Sequence, residues 1–287
     1  MFGCVRVKGF IKFAAAAAAM TAAAVCAFFA GSADDNNDDI FLPVIMYHSI
    51  VDSEEKQSDF RISRDIVEED LRYLRDNGYT AIFAQEAAEY VKNGTPLPEK
   101  PVMITADDGF YNNLCYLLPL LEKYDMKATV SVVGYYSEVL AKNDPHVPDY
   151  SYLTWEDMRE MLGSGRIELG DHTYDMHSLD GRKGCGKLEY ESDPEYEQKL
   201  YEDIGLNQTM IKLNTGISPV VFAYPFGEIS KESIPVIKKL GFCCALSCCE
   251  KPNRINHDED CLFCLGRYNR EPWESTWEFM ERCLKER

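Results

Sequence analysis

From residue 41 onward, short apolar runs alternate with amphipathic stretches. The runs occupy 43–47, 79–83, 102–105, 128–133, 166–169, 220–224, 242–246 and 262–265. Each is four to six residues long and rich in β-branched or aromatic side chains, the pattern of buried parallel strands. Between them apolar residues recur with a helical period. Ile66, Leu71 and Leu74 share one face of 66–77, and 114–124, 155–162, 196–213 and 230–240 behave alike. Gly78 and Gly241 each follow a helical stretch and precede a strand, as C-terminal caps do. About eight β–α alternations without an internal repeat predict an α/β fold: an irregular (β/α)7–8 barrel in one domain over 41–287. The last amphipathic stretch, 273–284, sets Trp273, Trp277 and Met280 at i, i+4, i+7. It reads as a helix closing the barrel rather than as a platform for stacking sugars.

Residues 1–33 do not fit this alternation. Arg6, Lys8 and Lys12 make a positive start with no acidic residue, an apolar run covers 13–30, and Gly31-Ser32-Ala33 follows. That order is expected of a cleaved signal peptide. Eighteen residues, eleven of them Ala, are borderline for spanning a bilayer, so a retained membrane anchor is the second reading. Either way the remainder is expected outside the cytoplasm, secreted or anchored at the cell envelope. Val25 precedes Cys26 where a lipidated cysteine needs a small residue, which disfavours lipoprotein anchoring. Residues 34–40, which include Asp34-Asp35-Asn36-Asn37-Asp38-Asp39, read as an acidic linker.

Charge narrows the partners. The net charge of the 287-residue chain is -18, and it becomes about -21 without the leader. Binding nucleic acid needs a basic surface that releases counterions, so a nucleic-acid partner is excluded. Beyond the leader lie nine cysteines, six of them between Cys243 and Cys264. They read as small buried apolar residues, with disulfides or a structural zinc at Cys261-x2-Cys264 left open.

In an α/β barrel, reactive groups collect where strands end and loops begin. His48 follows the first run, Asp107-Asp108-Gly109 the third, Asp171, His172 and His177 the fifth, Pro225-Phe226-Gly227 the sixth, and Arg267 the last. Three of the five histidines and a carboxylate pair thus share one rim. Adjacent carboxylates need a cation or a proton to coexist. His172 and His177, five apart, diverge on a helix but can converge on a loop. One carboxylate and two imidazoles make a divalent-metal site with open positions, whose bound water is a usable nucleophile. The second carboxylate can act as general base. These parts suit metal-assisted hydrolysis of a carbonyl or phosphoryl centre.

The same residues resemble the polysaccharide deacetylases, the NodB-homology carbohydrate esterases. Thr105-Ala106-Asp107-Asp108-Gly109 is similar to their Thr-Phe-Asp-Asp-Gly motif, and His172-Thr173-Tyr174-Asp175-Met176-His177 to their His-Ser/Thr…His motif. The four residues between the histidines, with Pro43-Val44-Ile45-Met46-Tyr47-His48 and Phe222-Ala223-Tyr224-Pro225-Phe226-Gly227, resemble the branch acting on poly-β-1,6-N-acetylglucosamine. The resemblance implies Asp107 as base and Asp108, His172 and His177 as ligands of a divalent metal, usually Zn2+, sometimes Co2+ or another ion. It also implies an oxyanion donor at the backbone near Phe226, and N-acetyl groups of an exopolysaccharide or peptidoglycan as substrate.

Two features depart from that family. Ala223 stands where an arginine often orients the catalytic Asp, and Leu265-Gly266-Arg267 lacks the late histidine that protonates the leaving amine. Arg267 is expected to supply the missing guanidinium beside Asp107, and His48 to be the proton donor or a partner of the site. Tyr47, Tyr111, Tyr174 and Tyr224 border the rim as candidates to stack on sugar rings. His146 and His257 lie in loops and are expected to play no part. The alternatives to N-deacetylation are an O-acetyl esterase of the xylan type and a degenerate, non-catalytic glycan-binding module.

Overall fold

The computed structural model describes residues 39–286; the expected signal peptide or anchor at 1–33 and the linker at 34–38 lie outside these residues. Asp39 and Ile40, expected in the linker, belong to the folded part. Asp39 accepts a hydrogen bond from Asn256 Nδ2 at 2.9 Å, and β1 (Ile40–Phe41) pairs antiparallel with a strand near the other end of the chain.

The strands that follow are β2 (Val44–Tyr47), β3 (Ser49–Val51), β4 (Arg61–Ser63), β5 (Thr80–Ile82), β6 (Pro101–Ala106), β7 (Ala128–Val132) and β8 (Ile167–Asp171). Then come β9 (Val221–Ala223), β10 (Cys244–Leu246), β11 (Arg254–Ile255), which is the partner of β1, and β12 (Tyr268–Asn269). Eight of them form one parallel sheet in the order β10-β9-β8-β7-β6-β2-β12, with β5 beside the start of β6. Leu265 bridges to Leu246 of β10, while β12 pairs with β2 at the opposite edge. The segment 265–269 therefore spans both edges and curls the sheet into an irregular barrel. The eighth strand was expected at 262–265; instead Glu259–Leu262 forms a 3-10 turn, and Cys264 at φ 64 breaks the extended run.

All six residues of β6 are buried, because both faces of the sheet are covered. Alternation assigns Ile104, Val130 and Leu169 to the helix-packed face, and Met103, Val44 and Val221 to the other. The helices are α1 (Arg64–Asp76), α2 (Ala84–Asn93), α3 (Leu118–Tyr124), α4 (Trp155–Gly163), α5 (Asp193–Thr215), α6 (Ser233–Lys239) and α7 (Thr276–Cys283). Ser63 caps α1, its hydroxyl accepting from Ile66 N–H; capping boxes Thr154/Asp157, Ser192/Glu195 and Ser275/Glu278 begin α4, α5 and α7. The apolar pattern did not predict α2, because its buried face includes the small Ala84 and Ala87.

One buried polar cluster ties the last helix to the sheet. Asp70 on α1 accepts from Arg270 Nε at 2.8 Å, Tyr47 Oη at 2.9 Å and Thr276 Oγ1 at 2.8 Å. Phe279, Met280 and Cys283 bury the inner face of α7, so this helix packs against the core as expected. Trp273 and Trp277 do not join that packing and are 66% and 62% exposed. Among the described residues all nine cysteines are free, and Cys243 to Cys264 form no metal cluster. No helix among the described residues is long and apolar enough to cross a membrane.

Candidate metal and catalytic centre

The site is built at the carboxyl ends of the strands. β6 delivers Asp107, whose N–H continues the ladder to Tyr47 O at 3.1 Å. Asp108 and Gly109 then adopt φ 72 and φ 70. This left-handed pair turns the chain sharply, and a Cβ on Gly109 would sit 3.0 Å from Val132 Cγ1. β8 ends at Asp171; His172 N–H reaches Val132 O at 3.0 Å, and Thr173 at φ 73 starts the loop that carries His177.

Three side chains converge there. Asp108 Oδ1 lies 3.5 Å from His172 Nε2 and 3.1 Å from His177 Nε2, and these donor atoms all fall within 4.8 Å of one another. His172 Nδ1 lies 2.7 Å from the carbonyl of Ala223, which can only accept, so Nδ1 carries the proton and Nε2 presents a lone pair. His177 Nδ1 is 3.1 Å from Tyr136 Oη. Asp108 Oδ1 is buried and makes no hydrogen bond of good geometry. An orphaned carboxylate oxygen facing two imidazole nitrogens fits a divalent cation, and the outer bonds from Ala223 and Tyr136 orient the rings.

Asp107 is held by a buried arginine instead. Arg267 Nη1 and Nη2 donate to its two oxygens at 2.8 and 2.7 Å; Arg267 Nε donates to Ser247 O at 2.7 Å, and Cys248 Sγ lies 3.7 Å from Nη2. Arg267 is fully buried, inside the segment that bridges the sheet edges. Burial opposes charge on Asp107, but the Arg267 guanidinium beside it outweighs that cost and holds the carboxyl below its usual range. Neighbouring Asp171 lacks such a cation; burial pushes it up to about 8 despite bonds from Asn207 Nδ2 and Thr173 N–H.

His48 follows β2 and is edge-on to Phe60, with ring centroids 5.0 Å apart. Its backbone is pinned by Asn113 Nδ2, which donates to His48 O at 3.0 Å, while Asn112 Oδ1 accepts from Ile50 N–H at 2.9 Å. Burial lowers the His48 pKa, and the Asp108 and Asp107 carboxylates act against that shift. Phe226, at φ 57, sets its ring 4.6 Å from that of His177.

His48, Asp107, Asp108, His172, His177 and Phe226 all line one open cleft of about 760 Å3. Its outer wall includes Phe60, Phe110, Tyr150 and Tyr152. The candidate tyrosines stay out of it. Tyr224 is fully buried with its hydroxyl 2.8 Å from Ser233 Oγ, because it shares with Phe222 the strand face that packs on α5 and α6. Tyr111 packs on His146 at 3.7 Å, and Tyr47 is committed to Asp70. Tyr174 meets Tyr135 edge-on at 6.5 Å. His146 pairs with Asp157 at 2.9 Å, and His257 packs on Tyr90, both apart from the cleft. The Ala223 carbonyl, Tyr136, Asn113, Phe60 and Cys248 were not anticipated; each reaches the site through a tertiary contact that no local spacing encodes.

Residues 94–245 match the family model for polysaccharide deacetylase. Over 217 residues the chain is 27% identical to the poly-β-1,6-N-acetyl-D-glucosamine N-deacetylase of Escherichia coli (strain K12), a match covering 69% of this chain and 32% of that protein. The protein of the same name from Staphylococcus aureus (strain MRSA252) is 27% identical over 211 residues, covering 72% and 68%. This chain thus spans about a third of the length of the first curated relatives it matches. A solved de-N-acetylase from Aggregatibacter actinomycetemcomitans superposes with a TM-score of 0.70 at 25% identity, over 84% of this chain and 100% of that one. With its curled parallel sheet and the matched segment covering more than half its length, the chain belongs to the polysaccharide deacetylase family.

Proposed function

We propose that this chain is a metal-dependent hydrolase that removes N-acetyl groups from an N-acetylglucosamine-containing polysaccharide outside the cytoplasm. One arrangement carries the reading: Asp108, His172 and His177 face one another beside an Asp107 carboxylate paired with a buried arginine, at the floor of an open cleft. The E. coli and S. aureus relatives are named for poly-β-1,6-N-acetyl-D-glucosamine, which makes that polymer the first substrate to test, ahead of peptidoglycan. A negative chain also suits a neutral polymer that turns cationic as acetyl groups leave.

In this reading Asp108, His172 and His177 hold the ion, Zn2+ first and Co2+ second. Bound there, it would supply Lewis-acid polarisation of the acetamide carbonyl and of the attacking water. Asp107, kept ionised by Arg267, takes a proton from that water as its oxygen adds to the acyl carbon. The backbone N–H of Phe226 is the donor we assign to the oxyanion; the next two N–H groups are already committed to Tyr224 O and Pro225 O. His48, across the same cleft, relays to the departing nitrogen the proton that Asp107 took from the water. The C–N bond breaks, releasing acetate and a free amine on the sugar.

Acetate release from N-acetylglucosamine oligomers tests this proposal. Metal-stripped protein restored with Zn2+ or Co2+ is expected to free acetate from the amide substrate, and Asp107→Asn to free almost none. Release from acetyl esters alone would point to an O-acetyl esterase. Glycan binding without release from either substrate would point to a non-catalytic module.

A further inference from the structure

Trp273 stands out among the aromatic residues that the mechanism leaves unused. It is 66% exposed, yet its indole N–H donates to Asp59 Oδ1 at 3.1 Å, which fixes the ring instead of leaving it free to rotate. Asp59 is also held from the other side: its carbonyl accepts from Asn269 Nδ2 at 3.2 Å. Asp59 sits between Ser58 and Phe60, and Ser58, Phe60 and Asn269 all line the cleft. The Trp273 ring is therefore one hydrogen bond from the cleft wall, on the side formed by the loop between β3 and β4. Phe60, itself 60% exposed, continues the wall inward and meets His48.

We propose that Trp273 and Phe60 form a second sugar subsite, which takes a neighbouring hexosamine unit of the polysaccharide whose acetamido group lies at Asp107 and Asp108. This inference rests on the deacetylase reading and deepens it. The chemistry fits: a pyranose presents C–H faces to an aromatic ring and hydroxyls to polar groups at its edge. Here the indole N–H of Trp273 is bonded to the Asp59 carboxylate, the Asp59 carbonyl to the Asn269 amide, and Phe60 is the residue after Asp59. Continuity with the cleft commits the occupant to the same glycan chain. An enzyme so built favours long substrates over short ones, since only a chain of several units reaches both the reacting centre and the shelf.

The test compares kcat/KM for a hexamer and a dimer of β-1,6-linked N-acetylglucosamine, in the wild type, Trp273→Ala and Trp273→Tyr. We expect the hexamer-to-dimer ratio to fall about tenfold in Trp273→Ala, the loss of one aromatic face, and to recover in Trp273→Tyr. The same three proteins, stripped of metal, are titrated with hexamer by calorimetry, with Trp273→Ala expected to bind about tenfold more weakly. A ratio and an affinity both unchanged in Trp273→Ala would overturn the shelf. Absence of acetate from dimer and hexamer alike would instead overturn the deacetylase reading, and the binding titration would still decide on the subsite.

Discussion

The guanidinium of Arg267 grips the carboxylate of Asp107 through two hydrogen bonds across 160 residues of sequence, with side-chain exposures of 0% and 2%. The pair depends on the segment 265–269, which crosses from β10 to β2 and points one long cationic side chain into the barrel. An ion pair this deep gains from attraction what it loses in desolvation only while both partners remain.

Replacing Arg267 with Gln is expected to strand the buried carboxylate. Stability to denaturant should fall by about 3–5 kcal/mol. Turnover should fall as well, because Asp107 then no longer remains ionised, while the metal content is preserved. Arg267→Lys should recover little, since an ammonium cannot make the two-pronged contact. Full turnover in Arg267→Gln would remove Arg267 from the account.

Gly109→Ala should be damaging out of proportion to one methyl group. The position sits at φ 70, and the new Cβ would press on Val132 Cγ1 at 3.0 Å, with the Val132 Cα 3.4 Å away. A loss of about 1–3 kcal/mol is expected from the strained backbone, together with reduced metal binding as Asp108 shifts. A wild-type melting curve and metal stoichiometry would contradict this.

The Asp70 cluster gives a graded pair of variants. Tyr47→Phe removes one of several bonds to Asp70 and should cost about 1 kcal/mol. Asp70→Ala leaves Arg270 buried without its partner and should cost about 3–5 kcal/mol. Urea titrations of the two variants check the order, and equal losses would refute it.

Acid should loosen the loop that follows His177. Burial alone would raise the Glu191 carboxyl, but bonds from Arg182, from Lys199 Nζ at 2.7 Å and from Leu188 N–H at 3.0 Å outweigh it and hold the pKa at about 2. A carboxyl lowered on folding contributes stability that is complete above its unfolded value near 4.5, and lost as pH falls toward 2. The protection factors of residues 178–191 against hydrogen exchange, each rate taken relative to its intrinsic value at that pH, should therefore fall over that window. In Glu191→Gln the protection factors should already be low at pH 6 and nearly flat with pH. Identical profiles for the two proteins would exclude the mechanism.

Much of this architecture was legible because strand-end chemistry is local in sequence. Asp107, Asp108, His48, His172 and Phe226 each stand next to an apolar run, and His177 is a short loop beyond one, so a parallel barrel gathers them at one rim. The pairing of Arg267 with Asp107 was expected from a missing guanidinium, and the geometry brings the two groups together. The tyrosines failed for a physical reason: adjacency to a rim does not fix which face of the strand a side chain takes, and Tyr224 follows Phe222 to the helix side. The helix expected over 273–284 begins only at Thr276, so Trp273 falls in the turn before it, and Trp277 takes the uncovered side of α7 because a helical period does not say which face is covered. The Ala223 carbonyl and the Tyr136 hydroxyl, which orient the histidines, were invisible because any residue type supplies a carbonyl and tyrosine is common in cores.

The central claim is that one ion sits among Asp108, His172 and His177, and cobalt titration tests it most directly. Metal-stripped protein titrated with Co2+ should develop a visible d–d absorption that saturates at one equivalent per chain. His177→Ala and Asp108→Ala should abolish it, whereas Asp107→Asn keeps it. A flat titration of the folded wild-type protein, or saturation unaffected by losing His177 and Asp108, would contradict the account.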